Sequence, residues 1–236
     1  MKRSSILVAL LTLSLSGSRT LLHADQCPGS SSPSSKPRVI DTCILNDAHA
    51  PVDTSLIDEI LRAIAADFSC SVQIDLDFAQ TRQFSGDPTA WPIDLGMEFT
   101  RACSRETQIR ILFTNRRFPG AEIPPGPDEP LKDSELAGGS HPYFGYAMIF
   151  NVEKRYAVRD KAGKPAPITA LKHELGHVFN LEHTLDARSF MFTPSSRSQG
   201  EWSTDNLEQF AQNRERNWYP KASSPWLQMG AISITG

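Results

Sequence analysis

The stretch HELGHVFNLEH, residues 173–183, places three of the chain's six histidines and a glutamate within eleven positions. Residues four apart on a helix share a face, so His173 and His177 can aim their imidazoles at one point, with Glu174 one step round. His183 joins them only if the chain reverses sharply after the helix. Asn180 stands where that reversal needs left-handed backbone; glycine is the usual residue there and asparagine the next most tolerant, at a cost of about 1 kcal/mol. Three converging histidines suit a tetrahedral zinc ion with its fourth position open, and the neighbouring glutamate is placed to handle the proton of a water. HExxH alone arises by chance in roughly one chain in a hundred of this length, whereas the added histidine lowers that to on the order of one in several thousand. On a helical wheel Ile168, Leu171, Leu175, Val178 and Phe179 gather on one side and the two histidines lie nearly opposite.

The rest of the chain is read around this helix. Its 236 residues suit one domain, and apolar and charged fractions of 39% and 22% fit a soluble fold with generous loops. Lys2 and Arg3, an apolar run from Ile6 to Leu15 too short to span a bilayer, and Leu22-His23-Ala24 as a cleavage site predict an export signal over residues 1–24. Ser16-Gly17-Ser18 is an alternative cleavage site. Without that segment 21 basic residues face 27 acidic ones, a formal net charge of −6, which argues against nucleic acid or an anionic membrane as partner. The mature chain is expected to lack a membrane span, to be monomeric, and to reside in the periplasm or outside a bacterial cell, a setting favoured by the absence of any N-x-[ST] sequon. Cys27, Cys43, Cys70 and Cys103 form an even set with no C-x-x-C pair, so two disulfides are expected, with three pairings open.

Residues 25–37 are rich in Ser and Pro and read as a disordered lead-in; the domain is expected to span 38–220, followed by a tail over 221–236. Hydrophobic spacing predicts strands over 38–45, 71–79, 108–115 and 145–152. A helix should begin at Asp53, Thr54 or Ser55 and bury Leu56, Ile57, Ile60, Leu61, Ile64, Ala65 and Phe68. The Pro/Gly-rich stretch 116–142 reads as a long surface loop. The motif helix should start near Thr169, and a last helix should run from Thr204 to Arg214 with Ser203 as cap and Trp202 stapled onto Leu207. This order predicts an α/β (α+β) fold, a sheet with helices on it. Asp75 and Asp77 read as solvent-facing residues of a strand, and calcium binding is left open.

HELGHVFNLEH resembles the metzincin signature HExxHxxGxxH at every position but Asn180, and Gly176 and Leu181 add a likeness to the matrixin branch. Eight residues after His183, Ser189-Phe190-Met191-Phe192-Thr193-Pro194 is similar to the family's Met-turn, with Met191 beneath the metal. The resemblance covers about 22 residues of motif plus the element order. It implies a zincin fold with a twisted, mostly parallel sheet, an active-site helix and a small C-terminal subdomain. It also implies one catalytic Zn2+ held by His173, His177 and His183, Glu174 as general base, and protein or peptide substrates. GYAMIFNV at 145–152 is a candidate for the cleft-rim strand that pairs with substrate, with an interior place as the alternative. The chain departs from the pattern in having no tyrosine two residues after Met191 and no matrixin-type cysteine propeptide motif. Phe84-Ser85-Gly86-Asp87 fits the astacin latency motif F-x-G-D but falls inside the domain, where coincidence is the simpler account. Two competing readings are a gluzincin-type site with a downstream carboxylate ligand such as Glu201, and an exported binding protein that keeps the fold without catalysis.

Overall fold

The structure is a computed structural model and describes residues 37–90, 92–104, 106–117, 138–159, 163–192 and 200–218. The predicted export signal, the lead-in to residue 36, Cys27, Thr193, Pro194 and the predicted tail lie outside the described residues.

The first unit alternates strand and helix. Strand β1 (Arg38–Asp47) leads into helix α1 (Thr54–Val72), which returns as strand β2 (Ile74–Phe84) paired parallel to β1. Helix α1 is capped by Asp53, whose side chain accepts from the Ser55 amide at 2.8 Å, and it buries Ile57, Ile60, Leu61, Ile64 and Phe68 on one face. It runs through Ser71 and Val72, which the alternating pattern had assigned to the strand. Gln73, in left-handed backbone with φ 57°, ends it. Helix α2 (Pro92–Ala102) then leads to strand β3 (Ile109–Phe113). Strands β4 (Gly138–His141) and β5 (Tyr146–Ile149) follow, then the short helix α3 (Val152–Tyr156), the motif helix α4 (Ala166–Val178) and α5 (Thr204–Asn213).

The five strands lie in the order β2-β1-β3-β5-β4, with β4 antiparallel and the rest parallel. Strand β3, Ile-Arg-Ile-Leu-Phe, is buried at every position because helices cover both faces, which is the rule for parallel sheets. Ile111 and Phe113 face a core shared with α1 and α4, while Leu112 faces a second core with Phe84, Leu95, Phe99 and Phe150. A disulfide between Cys43 and Cys103 joins β1 to the end of α2 in that second core. Cys70 is disulfide-bonded as well. The fold is thus α/β with a mostly parallel open sheet.

The segment predicted to be a loop through residue 142 ends in strand β4, which is the sheet edge, so 145–152 supplies an interior strand and not the rim. Trp202 does not staple onto Leu207: its ring packs against Phe68, Phe190 and Phe210, and Leu207 is 37% exposed. Asp75 and Asp77 are half-buried, not solvent-facing.

Candidate metal centre

Helix α4 begins three residues before the expected Thr169, with Pro165 at the cap and Pro167 in the first turn, where a missing amide proton is tolerated. The wheel puts the histidines opposite the apolar side, yet Thr169, Lys172, His173 and Gly176 are buried along with the apolar residues. The helix is enclosed on nearly every side, between α1, α3, β4 and β5.

Its end is built from named bonds. The Asn180 amide donates to the His177 carbonyl at 2.8 Å and the Leu181 amide reaches back to Gly176 at 3.0 Å, with Asn180 at φ 65°. This pair of bonds is a Schellman turn, which satisfies carbonyls that a helix end otherwise leaves open and reverses the chain. Gly176 lets Met191 approach the helix from beneath: a Cβ there would meet the Met191 sulfur at 2.3 Å and the methyl at 3.2 Å. Met191 therefore lies directly under the helix, fully buried.

Beyond the turn His183 meets the other two histidines. The three Nε2 atoms stand 3.2, 3.2 and 3.0 Å apart. His173 Nδ1 donates to the Phe190 carbonyl at 2.7 Å and His177 Nδ1 to the Leu181 carbonyl at 2.8 Å. A carbonyl only accepts, so in the neutral rings these Nε2 atoms carry lone pairs, and both lone pairs face the same point. A tetrahedral zinc ion with bonds of about 2.05 Å separates its nitrogen ligands by about 3.3 Å, so the triangle fits such an ion. Among the described residues these three histidines are the one group with ligand atoms close enough to share a metal. Glu201, the carboxylate weighed as a third ligand, instead lines a cavity of about 340 Å³ with Asp186, Arg188, Trp202 and Asp205.

Burial pushes His173 down to about 4, opposed in part by its bond to Phe190, and burial also lowers His177. His173 therefore stays neutral, the form that binds metal, well into acid, and burial biases His177 in the same direction. Glu174 shifts the other way: burial pushes its carboxyl up to about 7, against the bond it accepts from the Ser140 hydroxyl at 2.7 Å. Ser140 lies on the edge strand β4, and Gly138 on the same strand clears room for the glutamate, since a Cβ there would meet Glu174 Cγ at 2.7 Å and the Met148 carbonyl at 2.6 Å. A hydroxyl in a Gly-Gly-Ser-His run carries no sequence signal for this role.

The loop carrying Met191 is hooked to the last helix. Ser189 is fully buried; its hydroxyl donates to the Asn206 side chain of α5 and accepts from the Met191 amide at 2.9 Å. The Thr184 amide donates to the Met191 carbonyl at 3.1 Å, which ties the residue after His183 to the same loop.

No family model and no curated protein matches this sequence. Many solved structures resemble it, and two of them illustrate the shared fold. An archaemetzincin from Methanopyrus kandleri superposes with a TM-score of 0.54 at 16% identity, covering 78% of this chain and 99% of its own. Metalloproteinase-II from Bacteroides fragilis gives a TM-score of 0.52 at 11% identity, covering 80% of this chain and 59% of its own. The likeness is one of fold: a mixed α/β architecture that this chain has in common with metallopeptidases.

Proposed function

We propose that this chain is an exported zinc-dependent endopeptidase, in which His173, His177 and His183 hold the metal and Glu174 is the general base. The observation that carries this reading is the triangle of three imidazole nitrogens beside a half-buried carboxylate held to a sheet edge. Both fold neighbours are named as members of metallopeptidase groups, which supports the same reading. Within the metzincin pattern, Gly176 and Leu181 keep the motif nearest the matrixin form.

A zinc ion so held supplies Lewis acidity, which acidifies water and polarises a carbonyl. The protein's own part is proton handling and orientation. A carboxylate near pKa 7 can take a proton from an attacking water and return it to the departing amine at neutral pH. Phe190 and Leu181 keep two rings in the tautomer whose Nε2 is free. Among the described residues strand β4 has β5 on one side only, so its outer edge can pair with an extended peptide, which would lie next to Glu174.

Metal content and cleavage of a casein-type substrate, with and without chelator, test the proposal. Glu174→Gln is expected to retain a full equivalent of zinc while kcat falls by about 10²-fold or more. A zinc-replete Gln variant that cleaves at the parental rate would remove Glu174 from this role. A parent that binds zinc without cleaving any denatured protein would favour the binding-protein alternative.

A further inference from the structure

Resting on the metal reading above, we infer that Asp67, on α1, is a positioning residue of the metal site, acting through Lys172 and Trp202 on Phe190, whose carbonyl orients His173.

The direction in which His173 presents Nε2 depends on where the Phe190 carbonyl lies, because Nδ1 donates to it at 2.7 Å. Phe190 is held on several sides. Its amide donates to the Glu201 carbonyl at 2.7 Å, its ring packs on Trp202 at 4.7 Å between centroids, and the Lys172 ammonium sits 4.6 Å from the ring centre. The Lys164 ammonium lies farther off, 5.8 Å from the ring centre, and the two nearer side chains end on one carboxylate. Lys172 Nζ lies 3.0 Å from Asp67 Oδ1, and Trp202 Nε1 donates to Asp67 Oδ2 at 2.8 Å. Lys172 precedes the first histidine of the motif and is only 2% exposed.

An apolar side chain at Lys172 would fill the same space without the desolvation of a charge. What the ammonium adds is direction: a cation over an aromatic face, paired with a fixed carboxylate, sets the ring's position in a way that dispersion contacts do not. Asp67 also accepts from the indole, so one side chain closes both jaws on Phe190. Because metal-ligating histidines take their orientation from the groups behind them, loosening this clamp is felt at Nε2.

The test uses the full chain with Asp67→Asn, Lys172→Met and Trp202→Phe, and Ile64→Val as a control that thins the same helix's core away from the clamp. Zinc affinity is measured by competition with a chromophoric chelator, site geometry by the visible spectrum of the cobalt-loaded protein, and the His173 bond by exchange of its Nδ1 proton in the metal-free protein. Asp67→Asn and Lys172→Met are expected to weaken zinc about 10-fold, to change the cobalt bands and to speed that exchange. Trp202→Phe should move the same readouts about 3-fold, and Ile64→Val should lower Tm with zinc affinity unchanged. Zinc affinity within twofold of parent and an unaltered cobalt spectrum in the first two variants would overturn the inference. So would an equal loss in Ile64→Val. If the charge variants do not fold, Trp202→Phe decides: parental zinc affinity and proton exchange count against the clamp. A parent that binds no zinc overturns the metal reading itself, whereas unaffected variants of a zinc-binding parent overturn only this inference.

Discussion

Ser140 donates its hydroxyl proton to a carboxylate that burial already drives towards neutrality, and each of the two can be tested separately. Removing the hydroxyl leaves Glu174 Oε2 without its donor. Ser140→Ala is expected to lower kcat about 10-fold with KM within twofold, as a lost charge-assisted hydrogen bond of about 1–2 kcal/mol implies, and Ser140→Thr should recover most of it. Steady-state kinetics on a single peptide checks this; an unchanged kcat in the alanine variant would refute it. The raised Glu174 pKa also predicts a stability effect in the metal-free protein. The folded value, about 7, lies above the ordinary 4.5, so the folded state favours the protonated form. That contribution is fully present below about pH 4.5 and is lost as pH rises through 7. His173, lowered to about 4, acts in the opposite sense as pH falls from 6.5, so the comparison must isolate the glutamate. Glu174→Gln should therefore match the parent's metal-free Tm near pH 4 and exceed it at pH 8. The gain should be on the order of 1–3 kcal/mol, because partial exposure of Glu174 returns some hydration. Melting curves in chelator across that range decide it; a constant Tm difference would show the carboxylate is not perturbed in this way.

At the scale of elements, α4 and the turn that ends it are a single device. The Schellman bonds place Leu181 so that its carbonyl accepts from His177, and they carry the chain round to His183. Asn180→Gly should keep zinc affinity within about threefold of parent or improve it, since glycine adopts φ 65° freely. A β-branched side chain resists that backbone region, so Asn180→Val should weaken zinc at least 10-fold. Chelator competition on both variants is the check, and equal behaviour would mean the turn does not govern His183. The elements also show why some were legible and others hidden. α1 and β3 carry strong apolar patterns, and α5 announces itself with Ser203, whose side chain accepts from the Asn206 amide. Strand β4 is Gly-Gly-Ser-His, with no apolar alternation to read, because as an edge strand it needs only one partner and few contacts. Helix α2 commits few large apolar residues, chiefly Leu95 and Phe99, and follows a Gly/Asp/Pro stretch that looks like loop.

For the whole molecule, the metal site links segments that are otherwise joined by a loop: α4 supplies two histidines, the chain beyond it the third, and the Met191 loop is hooked to α5 through Ser189 and Asn206. An ion bound only by the folded state must therefore stabilise the whole unit. At free zinc about 1,000-fold above its Kd the gain is about 4 kcal/mol, so chelator should lower Tm by roughly 8–16 °C for a domain of this size. A Tm indifferent to zinc and chelator in scanning calorimetry would contradict a metal shared by these segments. Distance along the chain hid the long-range partners. Asp67 looked like one more polar residue on an amphipathic helix, and nothing local announces that it meets Trp202, 135 residues away.

By itself the sequence determined the local chemistry: three histidines and a glutamate at helical spacing, a residue able to hold left-handed backbone, and strands and helices with strong apolar periodicity. These follow from neighbours a few residues apart, where backbone geometry alone dictates which side chains share a face. Only the tertiary structure decided that α4 is enclosed on nearly all sides, that β4 and not β5 is the edge, that Ser140 holds Glu174, and that a buried lysine and a tryptophan share one aspartate behind the site. Those facts depend on strand order and packing, which bring together residues that the chain's own spacing keeps apart.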